Sequence, residues 1–304
     1  MIFSIFPCSE DGVPQEGTVR SFTMLDQVVD TGRYPLTEVD SAEWKGVISQ
    51  VRAELAETGC CVLTDFVRSE WEETLRREGA EIAPRAHYDV ETVNVYNIAV
   101  DDDLPADHPG RVEFQRGNAF VARDLVPEEA IIHRLYTSPP FQRFVADCFG
   151  LERVHELADP LSGLCLNVVR PGMEHPWHFD TNEFTVSMLT QSPEAGGVFE
   201  YCPGIRSEEA ENFDDVRDVL DGRGERLVRR LTLRPRDLQL FKGRFSLHRV
   251  SPVEGGTARH SAIFAYSERP GVIGSVSRTE QLFGRVLPVH LEAGRAVRGD
   301  LLLD

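Results

Sequence analysis

In the segment HPWHFDTNEF, His178 and Asp180 stand two residues apart. On a strand that spacing turns both side chains to one face and Phe179 to the other, so an imidazole and a carboxylate converge on one point. His248, in FKGRFSLHRVSP, is expected to follow a strand and precede a turn, and it supplies the best third ligand. Two histidines and a carboxylate on one triangular face leave three positions open on Fe(II), for substrate and O2. Zinc accepts the same donors, so the triad by itself leaves the metal open. An isolated His-x-Asp also arises often by chance. Arg259 makes this one informative: it lies 11 residues past His248 (259 − 248), and Ser261 shares its face of the strand HSAIFAY. A guanidinium fork on a rigid strand suits a carboxylate held through two hydrogen bonds.

The elements that must position these groups are short strands. From Leu164 onward, LCLNVVR, FTVSMLTQ, VFEYC, LVRRLTL, LQLF and HSAIFAY are rich in β-branched and aromatic residues. Turn signals at PEAGG, LRPRD and VEGG separate several of them. The pattern predicts a mainly β fold with flanking helices, a jelly roll. An acidic insert at 204–226 interrupts it, with a helix expected from Asn212 to Leu220.

The first half reads as helical, over about 1–150, and the β core as about 160–270. Asp40 or Ser41 caps a helix from about Ala42, in which Val47, Ile48, Val51 and Leu55 recur at helical spacing, and Gly59 ends it before the strand CCVLTDF. Further helices are expected from Ser69 to about Glu81 and from Pro139 to Phe149, and a surface loop over 99–111. No repeat or linker divides the chain, which reads as one domain over 1–304.

A formal charge of −18, from 50 acidic against 32 basic residues, repels a phosphate backbone and argues against a nucleic-acid substrate. No apolar run reaches the ~18 residues of a membrane span, and the start does not read as a signal peptide. Six cysteines without a CxxC pair read as reduced core thiols of a cytoplasmic protein. The oligomeric state stays open, a homodimer being one option.

The His-x-Asp motif, a second histidine 70 residues later (248 − 178) and an arginine 11 after that resemble the Fe(II)- and 2-oxoglutarate-dependent oxygenases. Their fold is a double-stranded β-helix, a distorted cupin-like jelly roll. The resemblance implies Fe(II) at His178, Asp180 and His248, with 2-oxoglutarate held by Arg259 and Ser261. O2 completes the cofactor set, and a C–H bond is hydroxylated with release of succinate and CO2. Over about 110–285, the segments HFDTNEFTVSMLTQSPEAGGVFEYCPGIR and DLQLFKGRFSLHRVSPVEGGTARHSAIFAYSERPG are similar to the free-amino-acid radical halogenases and their hydroxylase relatives. Those halogenases carry Gly or Ala where this chain has Asp180, so hydroxylation is expected over halogenation.

The same resemblance implies a small-molecule substrate, an amino acid or similar polar metabolite. It aligns His175 with a substrate-contacting position and Arg116 with a carboxylate-binding arginine, for which Arg123 or Arg111 are alternatives. His175 also reads as a plain loop histidine beside Pro176. Desaturation or aziridine-type cyclisation uses the same cofactors. A cupin-like metal-binding or sensor protein without turnover is the reading from another class, and Arg259 argues against it.

Overall fold

The structure, a computed structural model, describes residues 24–98, 104–117 and 119–292; Cys8 and residues 99–103 of the expected acidic loop lie outside them. Helix α1 (Ala42–Thr58) starts where Ser41, not Asp40, accepts a hydrogen bond from the Trp44 amide, and it ends at Gly59 in the left-handed conformation. Helix α2 (Glu72–Ile82) follows a 3-10 turn at Ser69–Trp71, so the helix expected from Ser69 begins with one tighter turn. Helix α3 (Pro139–Phe149) has the expected bounds, and α4 (Phe213–Leu220) lies in the acidic insert.

Eleven strands build two antiparallel sheets. They are β1 (Cys60–Leu63), β2 (His87–Tyr88), β3 (Ala119–Val121), β4 (Leu164–Val169), β5 (His175–His178), β6 (Thr185–Gln191), β7 (Phe199–Cys202), β8 (Arg229–Leu231), β9 (Leu238–Phe241), β10 (Leu247–Val250) and β11 (Arg259–Phe264). The larger sheet runs β1-β9-β6-β11-β4-β3-β2 and the smaller β8-β7-β10-β5. Facing one another, with helices packed outside the larger, they form a double-stranded β-helix. The first half is therefore not purely helical. It contributes β1, β2 and β3, and the last two, at two and three residues, are too short to show a periodicity.

Alternation along the larger sheet decides what each face does. Leu164, Leu166 and Val168 of β4, Val186 and Met188 of β6, Leu238 and Leu240 of β9, and Ala262 and Phe264 of β11 join the main core with the helices. Their sequence neighbours Asn167, Thr185, Ser187, Gln239, Arg259 and Ser261 turn the other way, into a cavity. The apolar face is thus spent on helix packing, and the polar face is left for ligands.

The smaller sheet departs from this regularity once. His248 pairs with His178 and Val250 with His175, so a step of two residues along β10 is matched by a step of three along β5. This bulge brings His175 and His178, three apart in sequence, to the same face, with rings stacked 4.0 Å apart. On the other side of the smaller sheet, Trp177, Phe179, Val216 and Val219 share a separate cluster with Tyr96, so the acidic insert is tied down by its own small core. Among the described residues no helix is long and apolar enough to cross a membrane, and Cys60, Cys61, Cys148, Cys165 and Cys202 are free thiols.

Candidate metal centre

His178 ends β5, and Asp180 lies just beyond it, held by a hydrogen bond from its amide to the Gly243 carbonyl (3.2 Å). His248 sits within β10 itself, not after a strand as its sequence context implies, and is the register partner of His178. Asp180 Oδ1 is 3.7 Å from His178 Nε2 and 3.5 Å from His248 Nε2. The three ligating atoms lie within 4.8 Å of one another.

Backbone carbonyls set the tautomers. His178 Nδ1 donates to the Pro176 carbonyl (2.8 Å) and His248 Nδ1 to that of Ser246 (2.9 Å). A carbonyl only accepts, so each proton sits on Nδ1 and each Nε2 lone pair faces Asp180. Burial, and then the neighbouring His175 and His248 rings, hold His178 well below the usual imidazole range. Burial works against the Asp180 carboxylate, but His248, His178 and a hydrogen bond from Thr185 Oγ1 (2.8 Å) outweigh it and keep its pKa well below the ordinary value. Neutral imidazoles and an ionised carboxylate are the protonation states a divalent cation requires. The donor set fits Fe(II): three donors meet at a point open to the cavity on one side.

That cavity, of about 270 Å³, lies between the two sheets. Arg259 lines it, 5% exposed. Its Nη1 donates to Ser261 Oγ at 2.5 Å, and burial lowers its pKa to about 10. A buried guanidinium whose hydrogen bond goes to a hydroxyl could take a carboxylate through two further hydrogen bonds. Asn167 lines the same cavity and also donates to the Ala119 carbonyl, while His260, facing the helices beside Gly79, stays out of it.

Of the substrate-side residues expected from sequence, His175 lines the cavity, and its Nε2 is buried without a hydrogen-bond partner. Arg116 does not line it. It forms the wall of a smaller pocket alongside and pairs with Glu91 (2.5 Å), its register partner across two short strands. Arg123 pairs with Glu156 (2.6 Å). The cation that does enter the cavity is Arg278, on helix α5 (Val276–Phe283), which sequence reasoning passed over. It comes after the last core strand, on a helix, with no motif around it to mark it.

The two-layer β-helix and its His-Asp-His cluster define a protein of the Fe(II)- and 2-oxoglutarate-dependent oxygenase type. The family model described as halogenase D matches residues 44–281, and the chain belongs to that family, which works with Fe(II), 2-oxoglutarate and O2. No curated protein matches the chain. Among solved structures, an oxidoreductase of the 2OG-Fe(II) oxygenase family from Burkholderia pseudomallei is 16% identical, covering 74% of this chain and 92% of its own, at a TM-score of 0.46. A prolyl hydroxylase from Trichoplax adhaerens, in complex with a hypoxia inducible factor peptide fragment, is 15% identical over 76% and 94% of the two chains, with a TM-score of 0.47. AviO1 from Streptomyces viridochromogenes Tue57 is 15% identical over 72% and 94%, with a TM-score of 0.49.

Proposed function

We propose that this protein is a single-domain oxygenase that hydroxylates an unactivated C–H bond of a small polar metabolite, a free amino acid being the class in view. His178, Asp180 and His248 would hold Fe(II), and Arg259 with Ser261 would bind the distal carboxylate of 2-oxoglutarate. When bound, iron, 2-oxoglutarate and O2 supply the oxidant for hydrogen abstraction, and succinate and CO2 leave. The chain's own residues orient and exclude. The Nδ1 bonds of the two histidines aim their lone pairs, Thr185 orients the Asp180 carboxylate, and the apolar walls Phe199, Phe241 and Ile263 limit water around the reacting groups. His175 reaches the substrate side. A cavity of about 270 Å³ suits a metabolite, and free thiols suit the cytoplasm.

The observation that carries oxygen transfer is the Asp180 carboxylate, 3.5 Å and 3.7 Å from the two histidine nitrogens. It takes the coordination site that a halide would need. The description of the family favours the second reading, halogen transfer. Anaerobic addition of Fe(II) and 2-oxoglutarate should give a metal-to-ligand charge-transfer band, lost in His248→Ala and kept in His175→Ala. Succinate release with a panel of amino acids in chloride buffer, followed by mass spectrometry, should reveal a product with one added oxygen. A chlorinated product would sink the hydroxylase reading, and a missing band the oxygenase reading altogether.

A further inference from the structure

Arg278 is the second cation lining the cavity, half-buried there, and among the described residues no carboxylate forms an ion pair with it. Its hydrogen bond runs from Nη1 to the neutral Oε1 of Gln281 on the same helix, at 2.5 Å. The carboxylates whose charge reaches it are committed elsewhere: Asp180 to the metal triad and Glu91 to Arg116 (2.5 Å). Burial and then the repulsion of Arg116 lower Arg278 to about 10, against the smaller opposing pull of Asp180 and Glu91. A guanidinium that lines a cavity with its hydrogen bond going to an amide oxygen is ready to take a ligand carboxylate.

Its surroundings narrow the ligand further. His175 offers the same cavity a buried Nε2 with no partner. Phe120, Leu157, Val272 and Leu282 give the same cavity apolar walls, and its other polar lining groups, such as Ser162 and Asn182, are uncharged apart from Arg259 and the metal triad. Asp180 is the one carboxylate among the lining residues, and it belongs to the metal triad. An ammonium group would therefore find no counter-ion of its own, whereas one carboxylate would find a fork.

We infer that Arg278 binds the carboxylate of the substrate, a small carboxylic acid, amino acids included, whose aliphatic or aromatic body lies against Phe120, Leu157 and Leu282. The inference rests on the oxygenase reading of the site. Arg259 and Arg278 then divide two carboxylates between them, cosubstrate at one and substrate at the other. A carboxylate fixed at Arg278 leaves the apolar body, and not the acid end, to present its C–H bonds.

The test uses the full chain, loaded anaerobically with Fe(II) and saturating 2-oxoglutarate so that Arg259 is already occupied. Calorimetric titration compares 4-methylpentanoate, 3-phenylpropanoate and L-leucine, each with its own amide. At least one acid should bind about tenfold more tightly than its amide, the scale of one lost charge-assisted hydrogen bond. Arg278→Gln should erase that preference while leaving the charge-transfer band of the loaded protein intact. Arg278→Lys, which keeps the charge without the fork, should weaken the acid and leave the amide unchanged, and it decides the matter if Arg278→Gln gives no band. If no acid out-binds its amide, or if both variants keep the wild-type preference, the inference is overturned. Loss of the band in the unmutated protein would overturn the oxygenase reading instead.

Discussion

Gly243 holds the space that the Asp180 carboxylate occupies. Its carbonyl accepts the Asp180 amide, and a Cβ added to it would fall 2.6 Å from Asp180 Cγ, well inside contact distance. The two residues are far apart in sequence, Asp180 just after β5 and Gly243 just before its antiparallel neighbour β10, yet the ligand depends on the absence of a single methyl group.

Gly243→Ala should accordingly push Asp180 off the triad. Fe(II) affinity, measured anaerobically by titration, is expected to fall at least about tenfold, while the melting temperature moves little because the residue lies outside the main core. Unchanged iron affinity would show that Asp180 has another place to go.

Thr185→Val removes the hydroxyl that donates to Asp180 Oδ2 at 2.8 Å and keeps the shape. Outer partners of metal ligands are worth about 10–100-fold in affinity or activity, so iron binding or turnover should drop within that range. An effect below about twofold would mean that Gly243 alone orients the carboxylate.

Arg259→Lys keeps a charge but loses the fork. The dissociation constant for 2-oxoglutarate, followed by the charge-transfer band, should rise by roughly one to two orders of magnitude, as expected for one lost hydrogen bond to a charged group at about 1.5–3 kcal/mol. Fe(II) affinity without cosubstrate should stay as it was, since Arg259 touches no ligand of the triad.

Asp159 gives a stability prediction with a defined sign. Its side chain is fully shielded from solvent, and it accepts from the amides of Leu161, Ser162 and Gly274 and pairs with His290 Nε2 at 3.0 Å. Burial alone would raise its pKa, but the amide and hydroxyl hydrogen bonds outweigh it and bring the carboxyl down from 3.8 to about 2. A depressed folded-state pKa contributes stability above the unfolded value, and that stability is lost as pH falls through the folded one. The contribution is on the order of 2 kcal/mol. Asp159→Asn should cost about that much in urea unfolding at neutral pH, and the gap to the parent should close between about pH 4 and pH 2. A gap that persists undiminished at pH 2 would refute the assignment.

The iron triad and Arg259 were legible in the sequence because their spacing is local to strands: two residues from His178 to Asp180, and a fixed run from His248 to Arg259. The alternating strands of the larger sheet were legible for the same reason. The stacking of His175 on His178 was not, since strict alternation turns residues three apart to opposite faces and only the bulge in β5 brings them together. The placing of Arg116 in the smaller pocket was not legible either, because its partner, Glu91, lies 25 residues earlier on a strand of three residues. Arg278 and the Asp159–His290 pair are products of tertiary closure, the latter joining residues 131 apart, and no periodicity records them.

Phe179 joins two regions that a surface map would treat as unrelated. It is the residue between the two metal ligands His178 and Asp180, yet its ring stacks on Tyr96 (5.6 Å) and lies under the Arg206 guanidinium (3.8 Å), in the cluster that anchors the acidic insert. Trimming or recharging residues 204–226, an obvious move for anyone engineering solubility or crystals, would loosen the peg on which the iron-binding tripeptide hangs. The most mutable-looking stretch of the surface is in this sense part of the active site's foundation.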